Sequence, residues 1–166
     1  MVTFDHVREI LELTINKESK ILVIGCGNAP FSQDLYSNGY TNVVNIDTSE
    51  VVVSQQREKF PEMEWSVMDV REMDFEDGEF DLVVDKSVLD CLLCYSDAKI
   101  NTLAMLKEVE RVMKVDGMYM VVSLHSVEDV LRHVDNPSAF AWTVSSYRIL
   151  NPRWDEGENS KRWDIL

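Results

Sequence analysis

With 166 residues, 45% hydrophobic and 28% charged, the chain has the composition of one globular domain, expected over residues 1–166 and able to bury a sizeable core. Its 16 Lys and Arg stand against 30 Asp and Glu, a net charge of −14 that argues against a nucleic-acid partner, which needs a basic face, and favours a basic protein segment, unless the charge serves solubility alone. No apolar run approaches ~20 residues and the polar start MVTFDHVRE is not a signal peptide, so no membrane partner is expected and the default location is cytoplasmic.

Along the chain, Phe4, Val7, Ile10 and Leu11 recur at helical spacing after a possible cap at Thr3, predicting a helix over 3–13. Ile21 to Ile24 form the short apolar run of a strand buried on both faces, and Gly25-Cys26-Gly27 follows at once. Glycines there let the backbone turn sharply and let a ligand approach the main chain without meeting a Cβ. Pro30 suits the first turn of a helix and Gly39 its end. Val43 to Ile46 make the next strand, and Asp47 stands at its carboxyl end. An acid about 20 residues beyond such a turn can accept from the two hydroxyls of a ribose. A GxGxxG dinucleotide fingerprint would need glycine where Pro30 stands, so NAD and FAD are disfavoured.

Thr48 and Ser49 are helix caps for a segment over 51–60 that Pro61 ends, and the Thr48 N–H is also placed to reach a ligand. Trp65 to Val70 predict strand three. Asp69 is placed to accept from an adenine amine and Met68 and Val70 to sandwich the ring, although an acid after a strand is also an ordinary turn residue. REMDFEDGE over 71–79 is a surface turn. The strand Phe80 to Val84 follows, and ligands of open α/β sheets lie beyond the carboxyl ends of the strands, so Asp85, Lys86 and Ser87 should border the site.

VIGCGNA at 23–29, NIDTS at 45–49, VMDV at 67–70 and FDLVVDKSVLD at 80–90 together resemble the class I S-adenosylmethionine-dependent methyltransferases. Within that class, DKSVLD resembles the D/E-K-G-T-L/F-D segment of the group that includes lysine methyltransferases of elongation factor 1-alpha, with Ser87 and Val88 in place of Gly-Thr. The resemblance implies a Rossmann-like fold, a mostly parallel seven-strand sheet with helices on both faces and the last strand incomplete. It implies S-adenosyl-L-methionine as cofactor, held by Gly25, Cys26, Gly27, Asn28, Asp47, Thr48, Met68, Asp69, Val70 and Asp85. Methyl transfer to a protein lysine is the expected reaction. Asp85 is the catalytic candidate, able to orient a substrate ammonium and accept its proton, and Lys86 either shares in that or pairs with Asp85 or Asp90. A small-molecule acceptor and a non-catalytic cofactor-binding module remain open. The resemblance implies more sequence before the first strand and a complete final hairpin, so the expectation is either a trimmed chain or one whose lid is supplied differently and whose last edge another chain covers.

Cys91 and Cys94 form a lone C-x-x-C, open to a metal or redox reading but better explained by burial in a helix, since zinc needs about four ligands. Cys26 contributes backbone to the turn, and no resident metal is expected. A long helix is predicted over 96–114, stopped by Asp116-Gly117, then strand five over 118–124, a helix over 125–134 opened by Ser126, and strand six over 140–150. His125 follows strand five and could face the site. RWDIL at the end starts an antiparallel strand seven. Trp142, Tyr147, Trp154 and Trp163 either pack against the sheet or form an aromatic cage for an ammonium.

Overall fold

The computed structural model describes residues 2–149 and 163–165. The chain runs α1 (Phe4–Thr14), β1 (Ile21–Ile24), α2 (Phe31–Ser37), β2 (Val43–Asp47), α3 (Glu50–Lys59), β3 (Glu64–Val67), β4 (Phe80–Lys86), α4 (Val88–Leu93), α5 (Ala98–Val112), β5 (Met113–Ser123), α6 (Val127–Val134), β6 (Tyr147–Ile149) and β7 (Trp163–Ile165). The strand order is β3-β2-β1-β4-β5-β7-β6. The first five strands pair in parallel, and the three-residue β7 and β6 add antiparallel pairs at the β5 edge. Parallel strands need crossovers, supplied by α2 between β1 and β2, α3 between β2 and β3, and α4 with α5 between β4 and β5, while β3 runs to β4 through a non-helical connection.

Alternation along β1 shows how the sheet is covered. Ile21 and Val23 point into a core with Phe4, Val7 and Leu11 of α1, Phe31 and Leu35 of α2 and Val53 of α3. Leu22 and Ile24 point into a second core with Leu89 of α4, Met105, Leu106 and Val109 of α5 and Val130 of α6. Burial on both faces is why β1 is apolar at every position. Asn45 is the one polar residue among the buried positions of β2. Its amide is satisfied, accepting from Ser32 Oγ at 2.5 Å and donating to the Glu64 carbonyl at 3.0 Å.

Four sequence expectations are corrected. Helix α5 ends at Val112 and β5 begins at Met113, so Asp116 and Gly117 lie inside a strand rather than at a helix stop. Gly117 is there for space: a Cβ would come within 2.9 Å of the Lys114 carbonyl and 3.1 Å of the Phe80 carbonyl, beside the register shift between Phe80 and Leu82. β3 stops at Val67, and Met68 to Val70 belong to the connection after it, where Asp69 bridges to Glu72. β6 covers only Tyr147–Ile149. The segment before it packs by side chains instead, with Trp142 stacked on Phe140 at 4.5 Å and its indole N–H donating to the Val134 carbonyl at 2.8 Å. The Asn151–Lys161 loop and Trp154 lie outside the described residues.

Candidate functional site

Strand order reverses at β1, which lies between β2 and β4, and this is where an open α/β sheet leaves a crevice beyond its carboxyl ends. A cleft of about 540 Å³ occupies that place, lined from β1–β2 by Gly25, Ile46, Asp47 and Thr48 and from the β3 connection by Met68, Asp69, Val70 and Arg71. Its other wall is Lys86, Ser87, Val88, Cys91 and Leu92, with Tyr95 and Asn101 beyond.

The glycine turn is built as its residue types require. Gly25 and Gly27 have φ of 53° and 56°, the left-handed region that a Cβ opposes. A Cβ on Gly25 would also lie 2.2 Å from Cγ2 of Val88, so glycine lets β1 run under the start of α4. The Cys26 N–H donates to the Ile46 carbonyl at 3.0 Å, tying the turn to β2. The Gly27 N–H donates to Asp47 Oδ2 and the Ser49 N–H to Asp47 Oδ1, each at 2.9 Å. These two bonds fix the Asp47 carboxylate in one orientation. A carboxylate offers about four acceptor sites, so the two left over can receive a pair of ribose hydroxyls.

Six of the expected cofactor residues meet in the cleft: Gly25, Asp47, Thr48, Met68, Asp69 and Val70. Gly27 acts behind it through Asp47, and Asn28 is exposed outside the lining. Cys26 is buried, and burial with Asp47 nearby pushes its thiol up to about 12, so the sulfur is an inert packing group. Asp69 lines the cleft with its carboxylate already engaged. Arg71 donates to both oxygens, at 3.0 Å and 2.6 Å, and reaches Asn101 Oδ1 at 2.8 Å, which holds Asp69 below the usual carboxylate range. Adenine recognition by Asp69 would therefore compete with Arg71.

Asp85 is the largest departure from expectation. It is 0% exposed and does not line the cleft. Its carboxylate accepts from Tyr119 Oη at 2.8 Å, from the Val88 N–H at 2.7 Å and from the Leu89 N–H at 3.1 Å. Burial pushes the Asp85 carboxyl up to about 6, against the opposing hydrogen bonds from Tyr119, Val88 and Leu89. So placed, the carboxylate caps the start of α4 and ties β4 to β5 rather than facing the cleft as expected. Ser87 above it takes φ of 75°, a conformation costly for a residue with a Cβ. Asp90 is likewise structural, accepting from Ser123 Oγ and the Leu124 N–H.

Lys86 makes no ion pair among the described residues, with Asp85, Asp90 or any other acid. Cys91 and Cys94 are exposed rather than buried, and no cluster able to hold a metal occurs among the described residues. His125 is exposed and outside the cleft lining. Trp142 belongs to a separate apolar pocket with Tyr119 and Val144, on the packing side of the two aromatic readings. The Trp163 side chain lies outside what is described. The lining residues that sequence reasoning missed are Ile46, Arg71, Val88, Cys91, Leu92, Tyr95 and Asn101. Arg71 carried a local signal, a cation two residues after Asp69, whereas Tyr95 and Asn101 carried none.

Comparison with known proteins supplies the context of this cleft. The family described as "Methyltransferase domain" matches residues 22–121. The chain is 39% identical to the human protein named eEF1A lysine and N-terminal methyltransferase over 90% of its own length and 22% of that protein. Identity to the mouse protein of the same name is 35%, over 98% of this chain and 24% of the relative. The mouse EEF1A lysine methyltransferase 4 is 32% identical over 85% of this chain and 59% of its own. The chain thus spans about a quarter of the length of the first two relatives. Among solved structures, a Pyrococcus horikoshii protein superposes with a TM-score of 0.62 at 26% identity, covering 78% of this chain and 56% of that one. A protein from Anabaena variabilis titled as a putative methyltransferase from an antibiotic biosynthesis pathway superposes at 0.68 and 17% identity, over 91% and 66%, a likeness of fold.

Proposed function

Because the chain belongs to the methyltransferase domain family, a class I group whose cofactor is S-adenosyl-L-methionine, we propose that it transfers a methyl group from that cofactor to a lysine amine of a protein. The observation that carries the cofactor reading is the pairing of a Cβ-free turn at Gly25 with the oriented Asp47 carboxylate at the strand-order reversal. The pair suits a ribose and an attached chain that must pass close to the backbone. Ile46, Met68 and Val70 supply apolar surface on the Asp47 side, suited to a flat base. The cofactor, when bound, supplies a methyl already activated on a sulfonium. What remains for the chain is to hold the reactants in line and keep water away.

The lysine acceptor rests on the relatives, whose names specify lysine methylation of eEF1A and which match 85–98% of this chain. A basic protein suits the net charge of −14, and a cytoplasmic location goes with such an acceptor. Among the described lining residues only Asp47 and Asp69 are acidic, and both are engaged by donors of the chain itself. The ammonium proton is then left to water or to the substrate protein. That same observation favours the second reading, a cofactor-binding module without turnover.

The test is incubation of the purified chain with tritiated S-adenosyl-L-methionine and recombinant elongation factor 1-alpha, followed by acid hydrolysis and amino-acid analysis. Label in methyllysine is the expected result. Label at the amino terminus would move the acceptor to an α-amine, and cofactor binding with no label would leave the module.

A further inference from the structure

We propose that Cys91 and Cys94 are a site of reversible oxidation, closing to a disulfide that reshapes the α4 wall of the cleft; the effect on ligand affinity rests on the cofactor reading of that cleft. The chain has three cysteines, of which Cys26 is buried and inert. The other two are exposed, so the burial that would have made the C-x-x-C a packing feature is missing. No cluster able to hold a metal occurs among the described residues, which leaves the redox reading of the pair. Cys91 lines the cleft beside Val88, Leu92 and Tyr95, while Cys94 lies outside the lining. The Cys94 thiol donates to the Asp90 carbonyl at 3.3 Å, which turns its sulfur back over the preceding turn, the side on which Cys91 stands.

Backbone geometry holds the pair close to bonding range. The Cys94 N–H donates to the Cys91 carbonyl at 3.1 Å, a 3₁₀-type closure of the last turn of α4. Residues three apart on such a turn share one face with Cα atoms about 5–6 Å apart, inside the roughly 4.4–6.8 Å range of disulfides. Their Cβ atoms stand about 5–6 Å apart and must close to about 4 Å, a draw of about 1–2 Å. Helix α4 has six residues and Cys94 as its C-cap, so that movement falls on the short turn carrying Cys91, Leu92 and Tyr95, all of which line the cleft. A bond formed under such strain is readily reduced, as a switch in a reducing compartment requires. The oxidant is a small-molecule disulfide of the glutathione type. Cys94, as thiolate, attacks one of its sulfurs, forming a mixed disulfide and releasing the first thiol. Cys91 then gives its proton to solvent and attacks the Cys94 sulfur, expelling the second thiol. The pair loses two electrons and two protons, and the external disulfide becomes two thiols. Burial, with Asp90 nearby, pushes the Cys91 thiol up, which suits it to the second step, where proximity to the mixed disulfide offsets scarce thiolate.

The experiment equilibrates the purified chain with glutathione disulfide at fixed glutathione, labels free thiols with N-ethylmaleimide under denaturing conditions and measures the intact mass. The oxidised and reduced forms are then titrated with S-adenosylhomocysteine by calorimetry. The expected oxidised form is lighter than the reduced chain by two hydrogen atoms, carries no glutathione, takes up maleimide at Cys26 alone and reverts with dithiothreitol. It should bind S-adenosylhomocysteine roughly 3- to 10-fold more weakly, since a wall displaced by about 1 Å loses its fit. By linkage, saturating S-adenosylhomocysteine should raise the glutathione disulfide needed for half oxidation by the same factor. Cys94→Ser keeps a donor for the Asp90 carbonyl; it should bind S-adenosylhomocysteine as reduced wild type does and form no internal bond, with Cys94→Ala in its place should it fail to fold. Stable glutathione adducts instead of the internal bond, no reaction at either thiol, or an oxidised form of undiminished affinity each overturn the proposal and leave the cofactor reading standing. Reduced wild type that binds no S-adenosylhomocysteine overturns the cofactor reading and the coupling to the cleft with it, and the intact mass still reports whether the bond forms.

Discussion

At the scale of single residues, Asp47 and Asp85 show how one side-chain type takes opposite roles at neighbouring strand ends. Asp47 is held by two backbone N–H groups and faces the cleft; Asp85 is held by two others and by Tyr119, and faces the core. Asp47→Ala should weaken S-adenosylhomocysteine binding by roughly 1–3 kcal/mol, since the ribose hydroxyls lose their acceptors, and calorimetry showing unchanged affinity would remove Asp47 from the site. For Asp85 the expectation concerns pH. Its folded carboxyl is raised from 3.8 to about 6, so between those values the folded state binds the extra proton, and its contribution to stability falls as pH rises through that window. Wild type should accordingly gain stability relative to Asp85→Asn between pH 7 and pH 5. Urea titrations of both proteins at the two pH values check this, and a gap that moves the other way would contradict the burial argument. Ser87 offers a third case: it sits at φ of 75° and its hydroxyl makes no capping bond to α4. Ser87→Gly removes the strain and loses no bond, so the melting temperature should rise, by the equivalent of about 0.5–1 kcal/mol after the added freedom of the unfolded chain. The glycine turn and Asp47 were legible in the sequence because their requirements are local, a φ angle and a strand end. Asp85 was not, since the partner that turns it inward, Tyr119, comes from a different strand.

At the scale of elements, apolar periodicity gave the helices and strands up to β4 nearly in place, and the misjudged boundaries share a cause. Asp116-Gly117 has turn chemistry, yet the pairing of β5 with β4 draws it into a strand, where Gly117 is needed for close approach to Phe80. Gly117→Ala should cost roughly 1–3 kcal/mol, because two backbone carbonyls must move to admit the methyl group. A shifted urea midpoint with unchanged far-UV spectrum is the expected observation, and an unchanged midpoint would mean that β5 relaxes freely there. Arg111 makes a comparable tie, holding Glu108, Asp77 and the carbonyls of Met73 and Phe75 at 2.7–2.9 Å, so that the charged 71–79 segment is fastened to α5. That segment was identified as a surface turn from its composition, but its anchor lies over 30 residues further along the chain.

At the scale of the whole molecule, the net charge of −14 makes a statement about encounter rather than fold. If the acceptor is a basic protein, its KM should rise several-fold as salt increases from about 0.05 M to about 0.3 M, while affinity for S-adenosylhomocysteine changes little, because screening weakens long-range attraction between proteins most. A KM insensitive to salt would assign the charge to solubility. The sequence by itself determined the order of strands and helices, the Cβ-free turn and the acid that answers it, since each depends on residues close together in the chain. Only the tertiary structure decided which side chains share the cleft. Arg71 meets Asn101 across 30 residues, Asp85 meets Tyr119 across 34, and Lys86 stands near Asp47. The last two depend on the strand order β2-β1-β4-β5, which brings residues distant in sequence within one or two strand spacings, whereas Arg71 and Asn101 meet between the connection after β3 and α5.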